Sequence, residues 1–120
     1  MVDFHNTLGT LVIVAYLALT VANVIRLRGG DFAWARYLSF LAAGLLLLQY
    51  VLGFTLLSEG FRNQSSHYLF ALLPIITLGI EHGYAPTRDT PRARAAAALI
   101  ATTLTLILVI IAYSVGLDGS

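Results

Sequence analysis

Four long runs of apolar residues, separated by short polar stretches, dominate the pattern of the chain. They extend over residues 4–25, 34–57, 67–84 and 95–117. A helix needs about 20 mostly apolar residues to cross a bilayer, so each run predicts one membrane-spanning helix. Short connections favour antiparallel neighbours. The pattern therefore predicts one all-α domain over residues 1–120, an integral membrane antiparallel four-helix bundle with up-down-up-down topology.

The composition agrees with a lipid environment. Of the 120 residues, 58% are hydrophobic and 11% are charged, whereas about 25% are charged in a soluble domain. The net charge of +1 argues against nucleic-acid binding, which requires a basic patch. Cysteine is absent, which excludes disulfides, thiolate metal sites and cysteine nucleophiles. The expected surroundings are the lipid of an inner or plasma membrane, with other membrane subunits or further copies of the chain as partners.

The distribution of arginine predicts how the chain is oriented. Six of the seven arginines lie in or beside the first and third connections, and only Arg62 lies in the second. The positive-inside rule places the arginine-rich connections in the cytoplasm, so both termini are predicted to be extracytoplasmic. The first segment has no positively charged start and is longer than a typical signal-peptide core. It is therefore predicted to be a span.

Two of the three histidines occupy matching positions, since His5 begins the first segment and His67 begins the third. In an alternating bundle these segments run in the same direction and lie diagonally, so both imidazoles are expected at one depth near the outer face. Two imidazoles that face each other can hold an iron porphyrin from both sides. His5 and His67 are therefore the predicted metal ligands of a haem b.

Small residues occur at the depth expected for the two histidines. Gly9 lies one turn beyond His5 on the same face, and Gly53 and Gly116 lie near the outward ends of the second and fourth segments. Glycines at this level would make room for a flat porphyrin. Without a ligand, they would let membrane helices pack closely.

Polar residues supply further candidates for cofactor binding. Gln49 and Tyr50 are expected either to bond a cofactor edge or to join two helices. Arg62 is expected either to bind a haem propionate, as a guanidinium binds carboxylates, or to pair weakly with Glu59.

One face of the first segment carries a polar stripe. At 100° per residue it contains His5, Gly9, Tyr16, Thr20 and Asn23. It should face the interior, because lipid would leave its polar atoms unpaired. Its expected partners lie on the second and fourth segments: Gln49, Tyr50, Thr102, Thr105 and Tyr113.

Glu81 and His82 lie at the opposite end of the third segment from His67. No further histidine or cysteine is available at that depth, so a second haem with two histidine ligands is excluded. The pair is expected to bond Arg26 or Arg88, or to contact a partner subunit.

The pattern resembles the four-helix haem b membrane proteins, above all one half of the haem A synthase type, and is similar to small cytochrome b-like bundles. The resemblance rests on His5 with Leu8-Gly9 and on His67 with Tyr68-Leu69-Phe70-Ala71. It implies that His5 and His67 are the axial ligands. The synthase family also has a catalytic glutamate near a histidine, and none follows His5. The resemblance therefore implies cofactor binding rather than catalysis.

Three functions fit these features. The first is electron transfer by a haem b protein near the extracytoplasmic face, within a respiratory or photosynthetic complex. The second is a cofactor-free structural subunit of a larger membrane complex, and the third is a chlorin-binding protein in which each histidine holds one pigment. No independent catalytic activity is expected, because no nucleophile–base pair, phosphate loop or hydrolase metal spacing appears in the sequence.

Overall fold

A computed structural model describes residues 2–30 and 34–118, and no strand occurs within them. The α-helices are α1 (Val2–Leu27), α2 (Ala35–Ser58), α3 (Ser65–Leu72), α4 (Pro74–Gly79) and α5 (Pro91–Asp118). A short π-helix (Ile80–Tyr84) and a 3₁₀ turn (Ala85–Thr87) follow α4. Four stretches are long and apolar enough to cross a membrane: Val2–Leu27, Ala35–Ser58, Ser65–Thr87 and Pro91–Leu117. The four predicted spans are thus confirmed as helical segments of spanning length.

Glycine ends both α1 and α2. Gly29 has a φ of +86°, and the Gly30 N–H donates to the carbonyl of Ile25 over 2.9 Å. Helix α2 ends in the same way, and Gly60 after it has a φ of +95°. A positive φ one position past the helix cap favours glycine, because a residue with a Cβ rarely adopts that conformation. These two glycines place the first two connections where the polar pattern predicts them.

The third span is interrupted at Pro74, where α3 gives way to α4. Proline has no N–H and its ring clashes with the carbonyl four residues earlier, so a regular α-helix cannot continue through it. The following π-helix contains Glu81 and His82. The span therefore reaches Thr87, three residues beyond the predicted end, through irregular turns.

The last helix begins four residues before the predicted start at residue 95. The Thr90 hydroxyl accepts a hydrogen bond from the Ala93 N–H over 3.0 Å, which is the geometry of an N-cap. Pro91 follows at the first helical position, where its missing N–H costs nothing. Arg92 and Arg94 therefore belong to the first turn of α5.

Helices α1 and α5 lie at the centre of the packing. Helix α1 contacts α2 on one side and α5 on another, and α5 also packs against α3 and α4. The core between these helices is formed by Val12, Ala15, Tyr16, Leu19, Ala42, Leu46 and Val109. Large apolar side chains such as Leu17, Phe40, Leu47 and Ile100 are instead exposed. An apolar outer surface is what lipid requires, so the chain is consistent with a multi-pass membrane protein.

The polar stripe of α1 does face the interior, as predicted. Gly9, Tyr16 and Asn23 are buried, and His5 and Thr20 are half-buried. The Asn23 side-chain amide donates to the Thr102 hydroxyl over 3.2 Å, and the Asn23 carbonyl oxygen accepts from Arg26 over 2.9 Å. Thr105 instead bonds Thr77 of the third span over 2.6 Å.

We expect Thr102→Val to lower the free energy of unfolding in mixed micelles by about 1 kcal/mol, because a buried amide of Asn23 loses its acceptor. Thr103→Val is the matched control, since the Thr103 hydroxyl bonds no described residue and the side chain is only half-buried. It should change the free energy by less than about 0.5 kcal/mol. Equal losses in the two variants would show that the Asn23–Thr102 bond contributes nothing specific.

Candidate functional site

All seven predicted cofactor residues line one cavity of about 550 Å³. They are His5 and Gly9 of α1, Gln49, Tyr50 and Gly53 of α2, Arg62 of the second connection, and His67 of α3. We call this space the histidine cavity. Its volume falls within the range of about 300–1,000 Å³ that is common for cofactor sites. Residues from all four spans thus meet at one end of the molecule.

Most of the wall of the histidine cavity is apolar. Val12, Leu46, Phe54, Leu57, Leu72 and Val109 all contribute to it. A few polar groups enter from the histidines, Gln49 and the second connection. An apolar lining with a small number of placed polar groups is typical of sites for small molecules and cofactors.

His67 is held in a defined orientation by the last helix. Its Nδ1 lies 2.8 Å from the carbonyl oxygen of Ala112. A carbonyl only accepts hydrogen bonds, so Nδ1 must carry the proton and donate it. In this tautomer the lone pair is on Nε2. Metal-binding histidines commonly have this arrangement, in which the second nitrogen donates to a carbonyl and fixes the ligand.

Gly116 makes that orientation possible. A Cβ at this position would lie 2.8 Å from Nδ1 and 2.9 Å from Cε1 of the His67 ring. Those distances are shorter than van der Waals contact, so the ring occupies the space that a side chain would take. Because Gly116 follows Ala112 by one turn, its missing side chain lets the imidazole reach the Ala112 carbonyl.

His5 enters the cavity from α1, near α2. Its Cε1 lies 3.4 Å from where a Cβ of Gly53 would be. The Gln49 amide donates to the backbone carbonyl of His5 over 2.8 Å and fixes the start of α1 against α2. The two imidazoles, one beside α2 and one beside α5, line the same cavity.

Two buried polar atoms at the cavity have no partner among the described residues. They are Nδ1 of His5 and Oε1 of Gln49. A buried polar atom without a hydrogen bond costs free energy, so each such atom calls for a ligand or water. Tyr50, by contrast, donates its hydroxyl proton to the Ala71 carbonyl over 2.6 Å. Gln49 and Tyr50 were both predicted to contact a cofactor edge. Of the two, Gln49 has a buried acceptor oxygen that no described residue bonds.

Gly9 provides space between helices rather than at the histidines. A Cβ there would lie 3.1 Å from the Tyr113 ring and 3.2 Å from the Gln49 amide nitrogen. The glycine therefore allows α1, α2 and α5 to approach closely beside the cavity, which is the packing role predicted for it.

Arg62 lies at the mouth of the cavity. Its Nη1 donates to the carbonyls of Leu57 and Phe61 over 2.8 and 2.9 Å. The predicted weak ion pair with Glu59 is not formed, since the one ion pair among described residues joins Glu81 and His82. Arginine has five N–H donors, so Nε and Nη2 are available to an anionic group.

The second connection is fixed to the end of α5. The Asn63 side-chain amide donates to the Gly116 carbonyl over 3.0 Å, and the Tyr68 hydroxyl accepts from the Asn63 backbone N–H over 2.6 Å. Sequence reasoning missed Asn63 as a positioning residue and the Ala112 carbonyl as the partner of His67. No sequence pattern predicts which backbone carbonyl His67 bonds, because every residue has one.

Glu81 and His82 line a second cavity at the other end of the helices. The predicted contacts to Arg26 or Arg88 are replaced by others. Ser39 donates to Oε2 of Glu81 over 2.6 Å, and Nε2 of His82 lies 3.6 Å from Oε1 of Glu81. The Arg88 guanidinium instead lies 4.1 Å above the Tyr84 ring.

No group of three or more His, Cys, Asp or Glu side chains arranged for a metal ion occurs among residues 2–30 and 34–118. The predicted ligands His5 and His67 are two side chains, fewer than such a group contains. No protein-family model matches the chain, and no curated protein or solved structure is detectably similar to it. The argument for function therefore rests on the geometry of the site.

Proposed function

We propose that the chain is a haem b-binding integral membrane protein that transfers electrons near the extracytoplasmic face. His5 and His67 would be the axial ligands. The observation that carries the proposal is that both histidines line one largely apolar cavity, with the tautomer of His67 set by Ala112. The proposal includes the antiparallel, up-down-up-down arrangement of the spans.

Contacts between α1 and α5 support that arrangement. Thr10 donates to the hydroxyl oxygen of Tyr113, and Asn23 donates to Thr102. Residue numbers therefore rise along α1 where they fall along α5. The histidine cavity is lined by the first half of α1, the second half of α2, the start of the third span and the end of α5, as expected for alternating directions.

The chain supplies what a six-coordinate haem needs. His67 offers Nε2, because its Nδ1–H is donated to Ala112. His5 has an unpartnered Nδ1 inside the site, so its ring has no competing bond at that nitrogen. Nε and Nη2 of Arg62 would meet a propionate at the mouth. The apolar walls would keep water from the iron.

Bound haem would supply one-electron chemistry, the Fe(III)/Fe(II) couple, whose potential depends on axial ligands and burial. The chain's part is to hold two imidazoles in place, exclude water and present the site near one surface of the membrane. The exposed apolar helix faces suit lipid or neighbouring subunits of a respiratory or photosynthetic complex.

The positions of the arginines support the proposed orientation of the chain in the membrane. Arg26, Arg36, His82 and Arg94 line the cavity opposite the histidine cavity, whereas Arg62 is the single arginine near the histidines. The positive-inside rule then puts the arginine-rich end in the cytoplasm and the histidine cavity outside. The membrane is proposed to be the inner or plasma membrane.

The reduced-minus-oxidised visible spectrum of the full chain, purified from haem-replete membranes, tests the proposal. We expect a Soret band and a sharp α-band in the reduced state. Absence of Soret absorption would contradict haem binding and favour the cofactor-free accessory subunit. Far-red absorption would contradict it in favour of a chlorin-binding protein.

A further inference from the structure

A second cavity, of about 610 Å³, lies at the end of the helices opposite the histidine cavity. Three arginines from three different helices line it: Arg26 near the end of α1, Arg36 in the first turn of α2 and Arg94 in the first turn of α5. We call this space the arginine cavity. Positions 68 residues apart in the chain, from Arg26 to Arg94, thus place their charges around one space.

The arginine cavity has an excess of positive charge. Glu81 is the acidic residue among the described residues that line it. Asp31, in the adjoining connection, lies outside the described residues. Three guanidinium groups against one carboxylate leave two positive charges next to apolar spans. Arg26 and Arg94 are half-buried, so an anionic ligand that pairs with them would stabilise their charge.

The arginines keep donors available for that ligand. Nη1 of Arg26 bonds Asn23, and Nη1 of Arg94 donates to the Arg88 carbonyl over 3.0 Å. Arg36 is exposed, and its guanidinium lies 5.9 Å from the centre of the Phe40 ring. Since each guanidinium has five N–H groups, most donors in the cavity are unused by protein acceptors. Guanidinium groups bind phosphate oxygens well.

Glu81 sets a second requirement for a ligand of the arginine cavity. This residue is buried, with 6% of its surface exposed, and its Oε1 makes no hydrogen bond with a described residue, although Nε2 of His82 lies 3.6 Å from it. Ser39 bonds the other oxygen. A ligand that carries a hydrogen-bond donor would satisfy Oε1. The cavity therefore suits a molecule with both phosphate oxygens and a nearby hydroxyl or ammonium donor.

We propose that the arginine cavity binds the headgroup of a phospholipid whose phosphodiester is accompanied by a hydrogen-bond donor. The arginines would hold the phosphate oxygens and Glu81 would accept from the donor. A lipid is favoured over free phosphate because the wall also contains Leu19, Phe40 and Ala98. Trp34 and Tyr37, which are 75% and 74% exposed beside Arg36, are residue types enriched at the membrane interface.

Thermal unfolding of the full chain in a neutral detergent, with and without added lipid, tests this inference without reference to haem. We expect phosphatidylglycerol, which has free hydroxyls, to raise the unfolding temperature. Phosphatidylcholine has a phosphodiester but no headgroup donor, and it should give a much smaller rise. Inorganic phosphate at the same concentration should give none. An equal rise with inorganic phosphate or phosphatidylcholine would overturn the assignment.

The variants R26Q, R36Q and R94Q combined should weaken phosphatidylglycerol binding about a hundredfold, since each arginine near a lipid surface contributes about fivefold. R36Q alone, which removes no hydrogen bond to a described residue, should fold normally and weaken binding about fivefold. R92Q, an exposed arginine that lines neither cavity, is the charge-matched control and should weaken lipid binding less than R36Q does. Unchanged binding in R36Q, or an equal loss in R92Q, would overturn the proposal.

Discussion

Replacing His67 with alanine is expected to abolish the haem spectrum of the purified protein, and replacing His5 with alanine should do the same. Each substitution removes one of the two proposed axial ligands and leaves the apolar walls of the histidine cavity intact. The reduced α-band should disappear, and haem affinity should fall by more than about a hundredfold, since loss of a supporting residue alone costs about 10- to 100-fold. Haem titration followed by absorbance measures both.

His82→Ala is the matched control for those two variants. His82 lines the arginine cavity rather than the histidine cavity, so its loss should leave the α-band and the haem affinity unchanged. Circular dichroism of all three variants separates loss of ligand from loss of fold. An α-band retained in both His5→Ala and His67→Ala, with helicity intact, would remove the axial assignment.

Gly116→Ala is expected to lower haem affinity by about 10- to 100-fold, the range for residues that orient a metal ligand. The new Cβ would lie 2.8 Å from Nδ1 of His67. The ring can avoid it only by rotating, which breaks the hydrogen bond to Ala112 and releases the tautomer. Absorbance titration with haem measures the affinity, and a shifted midpoint potential would report the altered ligand.

Gly44→Ala provides the comparison for Gly116→Ala. A Cβ at Gly44 would meet no atom within 4 Å, and alanine favours a helix over glycine by up to about 1 kcal/mol. This variant should bind haem as the wild type does and be equally or slightly more stable. Wild-type affinity in Gly116→Ala would contradict the role given to the His67–Ala112 bond.

The third span shows which structural features sequence periodicity can predict and which it cannot. Its apolar composition predicts a helix, and Pro74 predicts an interruption of that helix. The π-helix at Ile80–Tyr84 is not predictable in this way. A π turn, with its i→i+5 hydrogen bonds, directs side chains differently from an α-helix. Glu81 lies in this turn and accepts a hydrogen bond from Ser39 of α2. Among the described residues Glu81 bonds Ser39 and pairs with His82, and Arg26 lines the same cavity without a direct bond to Glu81.

The histidine cavity was more accessible to sequence reasoning, because depth in a membrane follows from position in a span. Residues at matching depths in alternating helices meet at one end, so counting from the segment ends brought His5, Gly53 and His67 together. The same count could not give the start of α5. The apolar run that predicts the fourth span begins only after Arg92 and Arg94. The helix itself begins before these two arginines, because Thr90 caps it there.

The sequence by itself determined four apolar helices, the inward face of α1 and seven of the residues around the histidine cavity. These follow from length, periodicity and depth, which the bilayer imposes on any chain of this composition. Tertiary structure alone decided that His67 bonds the Ala112 carbonyl beside Gly116 and that three arginines surround one space. Those contacts join helices far apart in the chain, and their geometry depends on how the helices rotate and approach each other.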